Sequence, residues 1–225
     1  MGDNGNPGII PLTVREIFEQ IENAEDREFL LRIGYIEIHN EKIYDLLDAK
    51  KPEITKIQEP NHGEVTVNQL EVVATSEDQI LKNYEHGNGA RRIGETNMNE
   101  RSSRSHTIFK ITIESREVGK TSDDNAVQVS SLNLVDLAGS ERADQTKATG
   151  DRLKEGGHIN KSLLALGNVI RVLSEASATA PAPFVNYRDS KLTRILSASL
   201  GGNAMTSIIC TVTPAALDET FSTLV

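Results

Sequence analysis

Two short stretches carry the residue types from which phosphate chemistry is built. The first, NMNERSSRSH at residues 97–106, holds Asn99, Ser102, Ser103, Arg104 and Ser105. Serine hydroxyls and an asparagine amide donate to phosphate oxygens or hold a water, a serine hydroxyl can ligate Mg²⁺, and an arginine fork meets a carboxylate bidentately. The second, DLAGSE at residues 136–141, follows the apolar run VQVSSLNLV. Ligands of open α/β sheets collect beyond the carboxyl ends of such strands, and Asp136 at that end can hold a hydrated Mg²⁺ together with phosphate oxygens. Gly139 allows a backbone to approach a phosphate and to change its dihedrals when the phosphate leaves. Arg104 and Glu141 are a natural ion pair. Made only while a terminal phosphate holds both stretches closed, it converts a bond-length event into a loop rearrangement. Taken singly, the bland alternatives are a polar loop for the first stretch and a plain strand-to-turn junction for the second.

The elements that must position these stretches are legible as hydrophobic periods. Residues 106–115 alternate, with Phe109, Ile111 and Ile113 on one face, and residues 127–135 read as a buried, central strand. Upstream, Pro11 opens a helix in which Val14, Ile17, Phe18 and Ile21 share a stripe while Glu16, Glu19 and Glu22 face water. Residues 28–40 are strand-like, and the short segment after them offers Ile43, Tyr44, Leu46 and Leu47 for burial. Residues 65–74 read as a hairpin or paired strands. Ser76 with Gln79 forms a capping box that starts a helix ending near Gly87. Residues 143–157 are loop-like in composition, and residues 159–177 predict the longest helix, with Leu163, Leu164, Leu166, Val169, Ile170 and Leu173 on its buried face. Asp189 is placed to cap a helix holding Leu192, Ile195, Leu196 and Leu200, stopped by Gly201 and Gly202. Residues 205–213 predict another apolar strand, with Cys210 a buried thiol inside it, and residues 214–225 begin a final helix.

Composition narrows the field of functions. The chain has 225 residues, one cysteine and no tryptophan, so its core rests on Ile, Leu, Val and Ala and no internal disulfide is available. Neither a signal peptide nor an apolar run long enough to span a bilayer is evident, which points to cytosol or nucleus. The net charge of −9 argues against broad attraction to nucleic acid or an anionic membrane. Charge is uneven, however. Residues 141–200 carry nine Lys or Arg against six Asp or Glu, a balance of +3 there and −12 elsewhere. That basic region is either the face that meets an acidic partner or a solvated helical surface.

SSRSH at 102–106, LVDLAGSER at 134–142, INKSLLALGNVI at 159–170, YRDSKLTRIL at 187–196 and GGN at 201–203 together resemble the kinesin motor domain. PGIIP at 7–11 and IEIHNEKIYDLL at 36–47 agree, so the resemblance covers essentially the whole chain; within the family it looks most like kinesin-7, the centromere-associated protein E class. The resemblance implies an α/β fold of the P-loop NTPase type, with a central, mostly parallel sheet flanked by helices. It also implies a microtubule-dependent ATPase in the intact parent, using ATP and Mg²⁺, with tubulin as partner, a cytoplasmic and cytoskeletal location extending to spindle or kinetochore, and dimerisation through a coiled coil outside this chain. By the same resemblance residues 97–106 are the first switch loop, with Asn99, Ser102 and Ser103 near γ-phosphate and Mg²⁺. Residues 136–141 are the second, Asp136 reaching Mg²⁺ through water and the Gly139 amide sensing γ-phosphate. Arg104 and Glu141 close over the attacking water and relay its proton. Residues 143–177 and 187–194 form the track-facing surface, with Lys161, Arg188, Lys191 and Arg194 in contact with tubulin, which is acidic.

The sequence also departs from that pattern. It contains no G-x-x-x-x-G-K-[ST] string, whose amides and lysine hold the β- and γ-phosphates in P-loop enzymes. The expectation is a partial motor domain, beginning just after the P-loop and ending within the last motor-domain helix, that binds ATP poorly alone and leaves an apolar sheet edge open. Met205 stands where the family commonly carries Lys. The alternative reading is a non-catalytic microtubule-binding or scaffold protein descended from a motor.

Overall fold

A computed structural model describes residues 7–50, 52–59, 65–93, 104–119, 127–140, 151–175 and 184–212, without the side chains of residues 92, 93 and 151–160. Its centre is a pair of long antiparallel strands, β1 (Arg27–His39) and β7 (His106–Glu117), joined over twelve residue pairs from Arg27↔Glu117 to Ile38↔His106. Around them the sheet runs β3 (Glu53–Ile54), β2 (Lys42–Asp45), β1, β7, β8 (Gln128–Asp136), with β6 (Val72–Ala74) also on β1. The short β4 (Ile57–Gln58) and β5 (Thr66–Val67) pair with each other as a separate ribbon.

Side-chain alternation along β1 and β7 divides the core in two. Leu31, Ile33, Tyr35, Phe109 and Ile111 face one side, where Val14 of α1 (Ile9–Asn23) and Ile80 and Tyr84 of α2 (Glu77–Ile93) cover them. Ile36, Ile38 and Ile108 face the other, covered by Leu192 of α4 (Lys191–Ile195) and Leu196. The result is a three-layer α/β/α arrangement, the solution for a sheet with two apolar faces. Tyr35, Tyr84 and Phe109 pack at 5.3–5.8 Å between centroids, and Tyr35 donates its hydroxyl to Asn88 Oδ1 at 2.8 Å. Burial pushes the Tyr35 phenol up to about 12.

Several expectations are corrected. The ladders among the described residues are antiparallel rather than mostly parallel; β1, β2 and β7, β8 are successive strands whose connections are too short for a helical crossover. β8 is not central: it ends the described sheet, with Val127, Val129 and Val135 exposed. Residues 65–74 do not fold on themselves, since β5 pairs back to β4 and β6 to β1. α2 continues past Gly87 to Ile93, and a Cβ at Gly87 would overlap the Tyr35 ring, so glycine there serves close packing rather than termination. α3 (Asp151–Glu175) begins eight residues before the expected start; among its described side chains Ser162, Ala165 and Val169 are buried, whereas Leu164 is 66% exposed. Ser190, not Asp189, caps α4, accepting from the Leu192 amide at 3.1 Å. The helix then breaks at Leu196 before α5 (Ser197–Gly201). Among the described residues, 205–212 pair with no strand, and Met205, Ile208, Ile209, Val212 and Cys210 are exposed, so the expected buried thiol is overturned. The expected helix over residues 214–225 lies outside the described residues.

Candidate functional site

Strand register brings the two chemistry-bearing stretches to one end of the sheet. Thr107 of β7 pairs with Asp136 of β8, so the segment before β7 and the segment after β8 leave the sheet side by side. Arg104, half-buried, lies just before β7, and Gly139 lies three residues beyond Asp136. The remaining members of the expected set, Asn99, Ser102, Ser103 and Glu141, lie outside the described residues, and with them the Arg104–Glu141 pair.

Asp136 holds a side chain that the sequence reading missed. Arg91, 2% exposed near the end of α2, donates from Nη1 to Asp136 Oδ2 at 3.1 Å and from Nη2 to the Ser105 carbonyl at 3.0 Å. One guanidinium thus ties α2 to both stretches. The signal was hidden because a helix ending at Gly87 leaves Arg91 in a loop. The Asp136 side chain is 50% exposed, so water reaches it. A carboxylate with one oxygen on a guanidinium and half its surface in water suits a metal held through a water.

A second link joins the segment after β8 to the long helix. The Ala138 amide donates to His106 Nδ1 at 2.9 Å, and His106 Nε2 stands 2.7 Å from Ser162 Oγ on α3. Burial lowers the imidazole to about 4, with Asp136 opposing that shift and Arg91 adding to it, so the ring is neutral near pH 7.

The basic residues gather on other elements. Lys161 is exposed on α3, which packs against α4 and against the 3-10 turn Tyr187–Asp189 carrying Arg188. Lys191 and Arg194 lie three apart on α4. Arg188 and Arg194 are already engaged by one carboxylate: Arg188 Nη2 donates to Glu59 Oε2 at 2.7 Å, and Arg194 Nε donates to Glu59 Oε1. Hydrogen bonds from Arg194 and then Arg188 hold the Glu59 carboxyl below the usual range. α4 itself is anchored by Glu41, which accepts from Ser190 Oγ at 2.9 Å and from the Lys191 amide at 2.8 Å. Neither Glu41 nor Glu59 is marked by any sequence period, because each acts on a partner more than a hundred residues away.

Comparison with known proteins agrees with this geometry. The Kinesin motor domain family matches residues 1–225. Human centromere-associated protein E is 54% identical over 228 residues, spanning 100% of this chain and 8% of that protein. The kinesin-like protein KIN-7L of Oryza sativa subsp. japonica is 50% identical over 225 residues, 99% of this chain and 35% of that protein. Among solved structures, a KIF14 dimer in the two-heads-bound state, with AMP-PNP and in complex with a microtubule, superposes with a TM-score of 0.88 at 38% identity, over 100% of this chain and 64% of that one. A fast kinesin superposes with a TM-score of 0.84 at 40% identity, over 99% of this chain and 62% of that one. The chain therefore spans a small part of the full-length relatives and under two thirds of the solved motor structures.

Proposed function

This chain belongs to the kinesin motor domain family, with centromere-associated protein E and KIN-7L among its relatives, and on that footing we propose that it is the switch and track-facing part of a microtubule-based motor. In the whole protein that motor couples ATP hydrolysis to movement along microtubules. The observation that carries this reading is the convergence at the β7–β8 sheet end, where Thr107 pairs with Asp136 and Ala138 donates to His106.

In this reading Asn99, Ser102 and Ser103 meet the terminal phosphate and Mg²⁺, Asp136 reaches the metal through water, and the Gly139 amide reads the terminal phosphate. Bound Mg²⁺ neutralises charge on the β- and γ-phosphates. Arg104 and Glu141 would close over the attacking water and relay its proton, the Glu141 carboxylate being the member of the pair that can accept it. Arg91 competes for Asp136: the carboxylate that anchors α2 here is the same one assigned to the metal's hydration shell. Lys161, Arg188, Lys191 and Arg194 face tubulin. Cytoskeletal location, service at spindle or kinetochore, and dimerisation through a coiled coil elsewhere in the protein belong to the same proposal.

The open edge supports reading the chain as part of a larger motor sheet. β8 exposes Val129 and Val135, and residues 205–212 expose Met205, Ile208 and Ile209, two apolar strand-like runs that other strands would cover. Cys210 reports on this directly. Its thiol should react with a soluble disulfide reagent in the 225-residue chain and be protected in a longer chain that completes the sheet.

Cosedimentation with microtubules tests the function. Removing both Lys191 and Arg194 as alanines should weaken binding about five- to tenfold, the scale of losing two charge contacts; unchanged binding removes the assignment. The second reading is a non-catalytic microtubule-binding or scaffold protein derived from a motor. Calorimetry of the full-length protein separates the two, since only the motor reading requires tight Mg·ATP binding.

A further inference from the structure

His106 begins β7 and is 3% exposed, yet both ring nitrogens are engaged by elements other than its own strand. The Ala138 amide can only donate, so Nδ1 must accept, and the remaining ring proton sits on Nε2, directed at Ser162 Oγ 2.7 Å away. One tautomer is therefore fixed from both sides. Ala138 lies between Asp136 and Gly139, in the segment assigned to the phosphate. Ser162 lies on the buried side of α3, beside the exposed Lys161. The ring is a rigid strut with two chemically distinct ends, one on each of these elements.

We propose that His106 is a positioning residue that couples the segment after β8 to the placement of α3, so that a shift of Ala138 is passed to Ser162 through the ring. The identity of the two ligands at either end, phosphate and tubulin, rests on the function proposed above; the coupling itself does not. Moving Ala138 by even about an ångström must either break its hydrogen bond to Nδ1 or carry the ring with it. A buried, neutral imidazole has no water to replace a lost partner, so the ring follows. Lowering of the imidazole pKa by burial supports this, because a charged ring could not accept from the amide.

Two measurements on the 225-residue chain test it. In the first, long-range ¹H–¹⁵N spectra of the imidazole should report the Nε2–H tautomer, and Ser162→Ala should shift the Ala138 amide resonance as well as its neighbours on α3. The Nδ1–H tautomer, or a Ser162→Ala perturbation confined to α3, overturns the proposal without reference to microtubules. In the second, microtubule affinity is measured for His106→Asn, which keeps an acceptor near the Nδ1 position but cannot reach Ser162, for Ser162→Ala, and for the pair. Each single change should weaken binding by about threefold and the pair by no more than either alone, since both cut the same link. Effects that multiply overturn the coupling. Absence of any microtubule binding by the unaltered chain defeats the function proposal and leaves the spectroscopic arm to decide the strut. Should His106→Asn fail to fold, Ser162→Ala and the tautomer measurement still decide between a strut and independent contacts.

Discussion

Arg91 Nη1 lies 3.1 Å from Asp136 Oδ2, and the two ends of this ion pair are unequally placed: the arginine side chain is 2% exposed and the aspartate 50%. Deleting one partner is therefore not equivalent to deleting the other. Removing the aspartate charge takes the counter-ion from a buried guanidinium, whereas removing the arginine leaves a carboxylate that water already reaches.

Asp136→Asn is accordingly expected to cost about 2–3 kcal/mol of folding stability, and Arg91→Met, which keeps the packing volume, about 1 kcal/mol. Urea unfolding of the two variants measures the difference. Equal losses, or the reverse order, would show that burial of the arginine does not set the energetics of the pair.

Glu59 occupies two arginines assigned to the track. Glu59→Gln should release Arg188 and Arg194 and raise microtubule affinity by about two- to fivefold at low salt, with the gain fading as ionic strength rises. The same change should lower the melting temperature only slightly, because Arg188 is exposed and the Glu59–Arg194 contact is part-buried rather than fully desolvated. A fall in affinity would mean that Glu59 orients the arginines for binding.

Glu41 works differently, since it holds the start of α4 through two acceptors while standing at a positive φ of 58°, next to Asn40 at 51°. Glu41→Ala should destabilise the chain by about 1–2 kcal/mol through the two lost hydrogen bonds from Ser190 Oγ and the Lys191 amide. Asn40→Gly should stabilise it by up to about 1 kcal/mol, because glycine adopts this backbone without steric cost. Thermal melts of both variants check the opposite signs.

His106 gives a pH signature. Its folded pKa of about 4 lies below the ordinary 6.5 because the ring is buried, with Arg91 adding to the shift and Asp136 opposing it. The unfolded chain thus binds a proton that the folded chain refuses between those values, so the contribution to stability is complete above pH 6.5 and declines as pH falls toward 4. Between about pH 7.5 and 5 the loss should be about 2 kcal/mol, and His106→Asn should abolish that part of the acid slope. Urea titrations at the two pH values measure it; an unaltered slope in the variant would mean that His106 is not the titrating group.

Much was decided by local pattern. The alternation of residues 106–115, the stripe of Val14, Ile17, Phe18 and Ile21, and the Ser76–Gln79 cap are all present in the structure, the last with the Gln79 amide donating to Ser76 Oγ at 3.3 Å. Periods and caps act within a few residues, so the sequence alone contains them. The motif strings likewise identified the family and the two stretches that meet at the sheet end. Tertiary structure decided the partners. Arg91 on Asp136, His106 between Ala138 and Ser162, and Glu59 on Arg188 and Arg194 join residues 32 to 135 positions apart. A side chain's partner across such a span is set by strand register and helix packing, which leave no period to read. Residues 205–212 make the same point in reverse: their apolar run predicts a strand, but strand formation needs a neighbour to bond with, and among the described residues none stands beside it.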